Sequence, residues 1–263
     1  MTEAMAHSRS PSPADQAMRS EVLQSLQDSP AWLSSKYFYD ARGARLFERI
    51  CTLPEYYPTR SELEILENSL PAIAEALGED CEIVEPGSGE GIKTRRLLKA
   101  LHRPRSYRPI DVAGEQLSAA ADRLRAQFPE LEVRPVEGDF TKDLALPQAE
   151  GRRVFYFPGS TIGNFPSAQA QALLRRWATQ AGPQGQLLIG VDLRKPKAIL
   201  EAAYADAQGV TAAFNRNILR HLNRRLGCDF QPEAWAHEAP YDEDSGQIQM
   251  WLRPTRPQTV RFP

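Results

Sequence analysis

The sequence predicts an α/β fold, a Rossmann-like parallel sheet with a second lobe, and three observations lead there. Between residues 80 and 194, apolar runs of strand length alternate with helical patterns. A glycine-rich turn, Glu85-Pro86-Gly87-Ser88-Gly89-Glu90-Gly91, joins the first apolar run to the first helical pattern. Outside those limits the alternation stops, and the flanking segments read as helices with a few late strands. Alternation of this kind gives a parallel sheet covered on both faces.

Taken in order, residues 1–15 are rich in Ser, Pro and Ala and read as a disordered leader. Residues 16–78 read as the N-terminal helical part of a substrate lobe, with helices over 18–26, 40–51 and 61–77. Leu46, Phe47 and Ile50 form one stripe of the second helix, and the third carries Leu63, Ile65, Leu66, Ile73 and Leu77. The segments Lys36-Tyr37-Phe38-Tyr39-Asp40 and Glu55-Tyr56-Tyr57-Pro58-Thr59-Arg60 flank the middle helix, and their tyrosines read either as packing or as a pocket wall. The sheet domain spans 79–195, with strands over 81–84, 107–112, 131–136, 154–157 and 187–191 and helices over 93–101, 114–128 and 168–181. Residues 196–263 complete the lobe with helices over 199–207 and 210–226 and strands over 235–241, 248–252 and 259–262. Ser245-Gly246 suits a hairpin turn between the first two of those strands.

Composition narrows the function. With 263 residues, 41% of them hydrophobic, the chain can bury a full core. A formal net charge of -2 argues against nucleic acid or an anionic membrane as partner and leaves a small molecule. Cys51, Cys81 and Cys228 are far apart, as are the four histidines, so reduced thiols in a cytoplasmic protein and no metal site are expected. No run reaches the length of a membrane span, and the N-terminus lacks an apolar signal core.

Alternating glycines at a strand-to-helix turn let a ligand approach bare backbone above a helix N-terminus. The spacing also suits a nicotinamide or flavin site. Glu85 separates them, because a carboxylate repels a pyrophosphate but tolerates a sulfonium that carries an α-amino group, which favours S-adenosyl-L-methionine. Asp111 closes the second strand, where it suits the ribose hydroxyls. In Gly138-Asp139-Phe140, Asp139 suits the adenine amino group and Phe140 the face of the ring; either aspartate also suits a helix cap. After the fourth strand, Pro158-Gly159-Ser160-Thr161-Ile162-Gly163-Asn164-Phe165 exposes backbone, and Asn164 offers a donor and an acceptor or caps the next helix.

Several runs in the same order resemble the histidine Nα-methyltransferase family of ergothioneine biosynthesis. They are the two tyrosine segments with Leu53-Pro54 before the second, Gly87-Ser88-Gly89 with Lys93-Thr94-Arg95, the Pro158 to Phe165 run, and Ala203-Tyr204-Ala205-Asp206 with Gly209-Val210-Thr211-Ala212-Ala213-Phe214-Asn215. The resemblance implies a class I methyltransferase-like sheet and transfer of three methyl groups to the α-amino group of L-histidine, giving hercynine. It implies that Gly87, Lys93, Asp111, Asp139 and Phe140 hold the cofactor, in addition to Glu85 and Gly89 from the loop reading. Tyr39, Tyr56, Gly159, Asn164, Tyr204 and Met250 would hold the amino acid, with Tyr39 beside the amine as the catalytic group.

Two departures accompany it. Family members usually carry Glu and His where Gln249 and Trp251 stand. They also continue past the position of Pro263, so the chain is expected to be C-terminally shortened, without the final helix and antiparallel strands of the sheet. The fifth strand would then be an uncovered edge, giving a monomer or weak self-association. Both departures bear on selectivity for histidine and keep open another amino acid or amine as substrate, or a non-catalytic S-adenosylmethionine-binding homologue.

Overall fold

The structure is a computed structural model and describes residues 12–89 and 91–263; Glu90 and most of the expected leader lie outside them. Helix α1 (Pro13–Ser25) starts inside the stretch read as leader. Ser12 and Asp15 form a capping box there, with Pro13 in the first turn, so local capping overrides the Ser/Pro composition. After a short 3-10 turn (Ser35–Phe38) come α2 (Ala41–Cys51) and the long α3 (Tyr57–Leu77). The alternating region then gives β1 (Glu82–Pro86), α4 (Ile92–Ala100), β2 (Ser106–Asp111), α5 (Gly114–Gln127), β3 (Glu132–Val133) and β4 (Val136–Glu137). It continues through β5 (Arg153–Phe157), α6 (Ser167–Ala181) and β6 (Gln186–Ile189). Last come α7 (Lys197–Tyr204), α8 (Val210–Leu226) and the short strands β7 (Trp235–Glu238), β8 (Tyr241–Asp242), β9 (Gln247–Ile248) and β10 (Trp251–Pro254).

The chain divides into two compact units, residues 57–194 and residues 12–56 with 195–263. The division falls ahead of α3, not after it as the sequence suggests. The reason is packing: Ala74 and Leu77 of α3 are buried with Cys81, Ile83, Leu97, Tyr107 and Val154, so its apolar stripe belongs to the sheet's core.

In the sheet unit every pairing is parallel and the strand order is β3-β2-β1-β5-β6, with β4 also on β2 and β6 at the edge among the described residues. That order reverses direction beside β1, the place where open α/β sheets bind ligands. Strand 131–136 of the sequence reading is two pieces, since the backbone N–H of Arg134 turns to Tyr107 and Pro135 has none to give. At the amino ends of the strands, Glu82 accepts from Arg108 (3.1 and 3.0 Å) and from Arg153 (2.7 Å), all three being buried. Arg153 also donates to the carbonyls of Gln180 and Pro147, so the network leaves few of its polar atoms unpaired.

In the other unit α1 lays Met18 and Val22 against Ile218, Leu219 and Leu222 of the central helix α8. Asp40 caps α2 by accepting from the Gly43 N–H at 2.7 Å, and it also accepts from Asn217 (2.7 Å) and Arg224 (2.5 Å) of α8. Asp206 does the same for the start of α8 through the N–H groups of Val210 and Thr211. The hairpin around Ser245-Gly246 forms, but it breaks in the middle: β8 pairs with β9 near the turn and β7 with β10 further out. The strand expected over 259–262 is irregular backbone instead, with the N–H of Arg261 bonded to Asp229 while Val260 and Phe262 still pack on the core.

Candidate active site

The carboxyl ends of β1, β2 and β4 meet around the glycine loop. Gly87 turns with φ +69°, donating its N–H to the Ile110 carbonyl at 2.7 Å, and a Cβ there would meet the Phe140 ring at 3.3 Å. A Cβ on Gly89 would meet nothing within 4 Å, so this stretch of backbone faces open space. The carbonyl of Asp111 accepts from the Gly138 N–H at 2.9 Å, which ties the end of β2 to the Gly138-Asp139-Phe140 run. Both aspartates are half-buried and shaped by their own turns: Asp111 accepts from the Ala113 N–H, Asp139 from the N–H and hydroxyl of Thr141. Neither caps a long helix. Phe140 packs edge-on against Phe157 and Phe165.

Glu85 departs from its expected place on the rim. It is the fourth residue of β1, only 2% exposed, and its Oε2 accepts from Thr94 and Tyr107 hydroxyls at 2.6 Å each. Burial pushes its carboxyl up to about 7, against those two hydrogen bonds and the nearby Lys93. Placed under the loop, Glu85 fixes the first turn of α4 and the start of β2 relative to the glycines.

On the other side of β1, Lys93 pairs with Glu62 of α3. Glu62 also accepts the Gly159 N–H at 2.7 Å and lies so close to Gly190 that a Cβ there would displace its carboxylate. Asp192 accepts from the Tyr57 hydroxyl, and its N–H donates to Ser160 at 3.0 Å. The loops after β5 and β6 are thus tied to the first turns of α3. Sequence reasoning missed Glu62, because nothing in the pattern separates it from Glu64 or Glu67 on the same helix. Asn164 ends a 3-10 turn (Thr161–Asn164) and is exposed; the N-cap of α6 is Pro166, without a side-chain bond, so Asn164 is not its cap.

In the other unit the predicted tyrosines join one aromatic group. Tyr39 stands edge-on to Phe47 (5.6 Å between centroids) and Phe214 (5.8 Å), and Tyr56 edge-on to Phe47 (6.3 Å) and Tyr204 (5.7 Å). Tyr56 is buried whereas Tyr39 is 45% exposed. Burial, and then the neighbouring Tyr204 and Tyr39, push the Tyr56 hydroxyl well above its ordinary range, so it remains a neutral phenol. Met250 is half-buried between β9 and β10. Beside it the two family departures bond each other: Trp251 Nε1 donates to Gln249 Oε1 at 3.1 Å, and Gln249 Nε2 donates to Asp242 at 3.2 Å.

The profile described as "Histidine-specific methyltransferase, SAM-dependent" matches residues 18–263. The chain belongs to this family. It is 42% identical over 264 aligned residues to the histidine N-alpha-methyltransferase of Mycolicibacterium smegmatis, an alignment covering 99% of this chain and 82% of that protein. Against the histidine N-alpha-methyltransferase of Mycobacterium tuberculosis it is 43% identical, covering 93% of the chain and 77% of the relative. Ergothioneine biosynthesis protein 1 of Neurospora crassa is more distant, at 33% over 88% of this chain and 27% of that one. Membership in the family makes the chain an N-methyltransferase homologue on a class I methyltransferase sheet, as the strand order independently indicates. Among the described residues no helix is long and apolar enough to cross a membrane.

The residues present fit the family's S-adenosylmethionine. Bare loop backbone at Gly87 and Gly89, half-buried carboxylates at the ends of β2 and β4, an aromatic ring at Phe140 and a lysine at the start of α4 form one set within a single unit.

Proposed function

We propose that this chain is an S-adenosylmethionine-dependent N-methyltransferase that methylates the α-amino group of L-histidine to the trimethylated product hercynine, a step of ergothioneine biosynthesis in the cytoplasm. The observation that carries the reading is the 42% identity to a histidine N-alpha-methyltransferase across nearly the whole chain. When bound, S-adenosylmethionine supplies a methyl group on a sulfonium, open to in-line attack by an amine lone pair.

The chain's own residues then have distinct tasks. Gly87 and Gly89 give the cofactor access to backbone, Lys93 takes its carboxylate, Asp111 accepts from ribose hydroxyls, and Asp139 and Phe140 hold the adenine. Glu85 acts from beneath, keeping the loop in place through Thr94 and Tyr107. Asn164 and the Gly159 backbone take polar groups of the amino acid, with Tyr56 and Tyr204 as further hydroxyl partners and Met250 toward its side chain. Tyr39, the most exposed of the three tyrosines, orients the amine and receives its proton directly or through water. Positioning supplies most of the rate, since a nitrogen held at attack distance needs no covalent intermediate. Aromatic walls leave room for added methyl groups and favour the growing cation.

Incubation with S-adenosylmethionine and a panel of amino acids, read by mass spectrometry, tests this. Histidine should gain up to three methyl groups. Methylation of a different amino acid only, or of none, would overturn the substrate assignment.

A further inference from the structure

We infer that Glu62 is the group that receives the α-ammonium of the cofactor's amino-acid tail, making Lys93 and Glu62 together a complement to a zwitterion. This rests on the S-adenosylmethionine reading above and adds to it a residue that the sequence did not single out.

The two side chains form an ion pair, each about one-fifth exposed. Glu62 comes from the first turns of α3 and Lys93 from the first turn of α4, so two separate helices deliver opposite charges to one spot. Each retains capacity. Lys93 has three N–H donors, and a carboxylate accepts at about four lone-pair positions, of which Glu62 commits one to Lys93 and one to the Gly159 N–H. Glycine at 190 leaves the Glu62 carboxylate its place, since a Cβ there would strike it. Gly159 itself holds φ +80°, which a side chain would strain.

A lone lysine would suit any anion, and a lone glutamate would suit any cation. Adjacent and partly shielded from water, they favour a ligand with an ammonium and a carboxylate on one carbon, which satisfies both at once. The location selects the cofactor's tail. Lys93 follows directly on the glycine loop, and the pair lies at the carboxyl ends of β1 and β5, across β1 from the Asp111 and Asp139 ends where the nucleoside is expected. Glu85 cannot take the ammonium in its place, because it is buried beneath the loop and engaged by two hydroxyls.

Calorimetric binding of S-adenosylhomocysteine, its deaminated analogue and its decarboxylated analogue tests the assignment. Glu62→Gln should weaken S-adenosylhomocysteine and the decarboxylated analogue at least tenfold and leave the deaminated analogue within twofold of the parent chain. Lys93→Met should show the mirror pattern, sparing the decarboxylated analogue. Unchanged S-adenosylhomocysteine affinity in Glu62→Gln, or equal weakening of all three ligands, overturns the inference. Should Glu62→Gln fail to fold, the parent chain still decides: it must bind the deaminated analogue at least tenfold more weakly than S-adenosylhomocysteine, and equal affinity overturns the inference. A parent chain that binds none of the three overturns the cofactor reading itself, a distinct result.

Discussion

His237 Nε2 donates to the backbone carbonyl of Tyr204 at 2.8 Å, while its Nδ1 receives the amide of Asn215, also at 2.8 Å. Asn215 donates as well to the Trp251 carbonyl, which fixes the direction of its amide. The imidazole is therefore held neutral, and burial lowers its proton affinity. One histidine thus ties the end of α7, and with it Tyr204, to β7.

A pH dependence follows for this unit. A histidine whose folded pKa is below its unfolded value leaves the unfolded chain binding more protons, so stability falls as pH drops through about 6.5 toward the folded value. His237→Gln, which can still donate to Tyr204, should lose less melting temperature between pH 7.5 and 5.5 than the parent chain does. Differential scanning calorimetry at the two pH values measures it, and equal losses would show that His237 is not the titrating group.

Glu85 gives the opposite sign in the sheet unit. Its carboxyl is raised from 4.5 to about 7, so its contribution is fully present below pH 4.5 and lost as pH rises through 7. At pH 8 the buried anion costs on the order of 3 kcal/mol relative to a neutral group. Glu85→Gln, keeping an oxygen for Thr94 and Tyr107, is expected to raise the melting temperature at pH 8 and to change it little at pH 5.

Removing Glu82 should be severe. It is the one carboxylate between two buried guanidinium groups, and stranding buried charge costs about 3–5 kcal/mol. Urea unfolding of Glu82→Ala should show a loss of that order, while a loss below about 1 kcal/mol would mean that water reaches the arginines.

For the cofactor, Asp111→Asn removes the charge that strengthens bonds to the ribose hydroxyls. The expected effect is roughly a tenfold to hundredfold rise in the dissociation constant of S-adenosylhomocysteine. Calorimetry reads it, and no change would move the ribose elsewhere.

For catalysis, Tyr39→Phe keeps the ring against Phe47 and Phe214 but deletes the hydroxyl. If that hydroxyl handles the amine proton, kcat should fall by about 10²–10⁴ with cofactor affinity unchanged. A rise in KM for histidine alone would make it a binding group only.

Much of the fold is legible in the chain because period and punctuation agree. Helix α8 runs over the residues its pattern predicts, bounded by Gly209 and Gly227 in left-handed conformation. The sheet elements lie within a residue or two of expectation, except where Arg134-Pro135 interrupts a ladder. What could not be read is placement across the fold. Glu85 sits in an apolar strand that alternation alone would make a wall, yet whether it faces ligand or core depends on Thr94 and Tyr107, residues on two other elements. Glu62 is one acid among several on α3, and only its approach to Lys93 and Gly159 distinguishes it. The unit to which α3 belongs was equally hidden, since an amphipathic helix does not announce which core its stripe will meet.

Asp40 bears on how this protein can be re-engineered. It immediately follows Tyr39 and anchors three separate partners, the Gly43 amide, Asn217 and Arg224. Position 39 is half open to solvent, so a library can diversify it with the scaffold intact, but any window that spreads one residue further would release two helices from each other. Randomising that single codon, with its neighbour held constant, should give folded variants whose differences in turnover belong to the lost hydroxyl and not to unfolding.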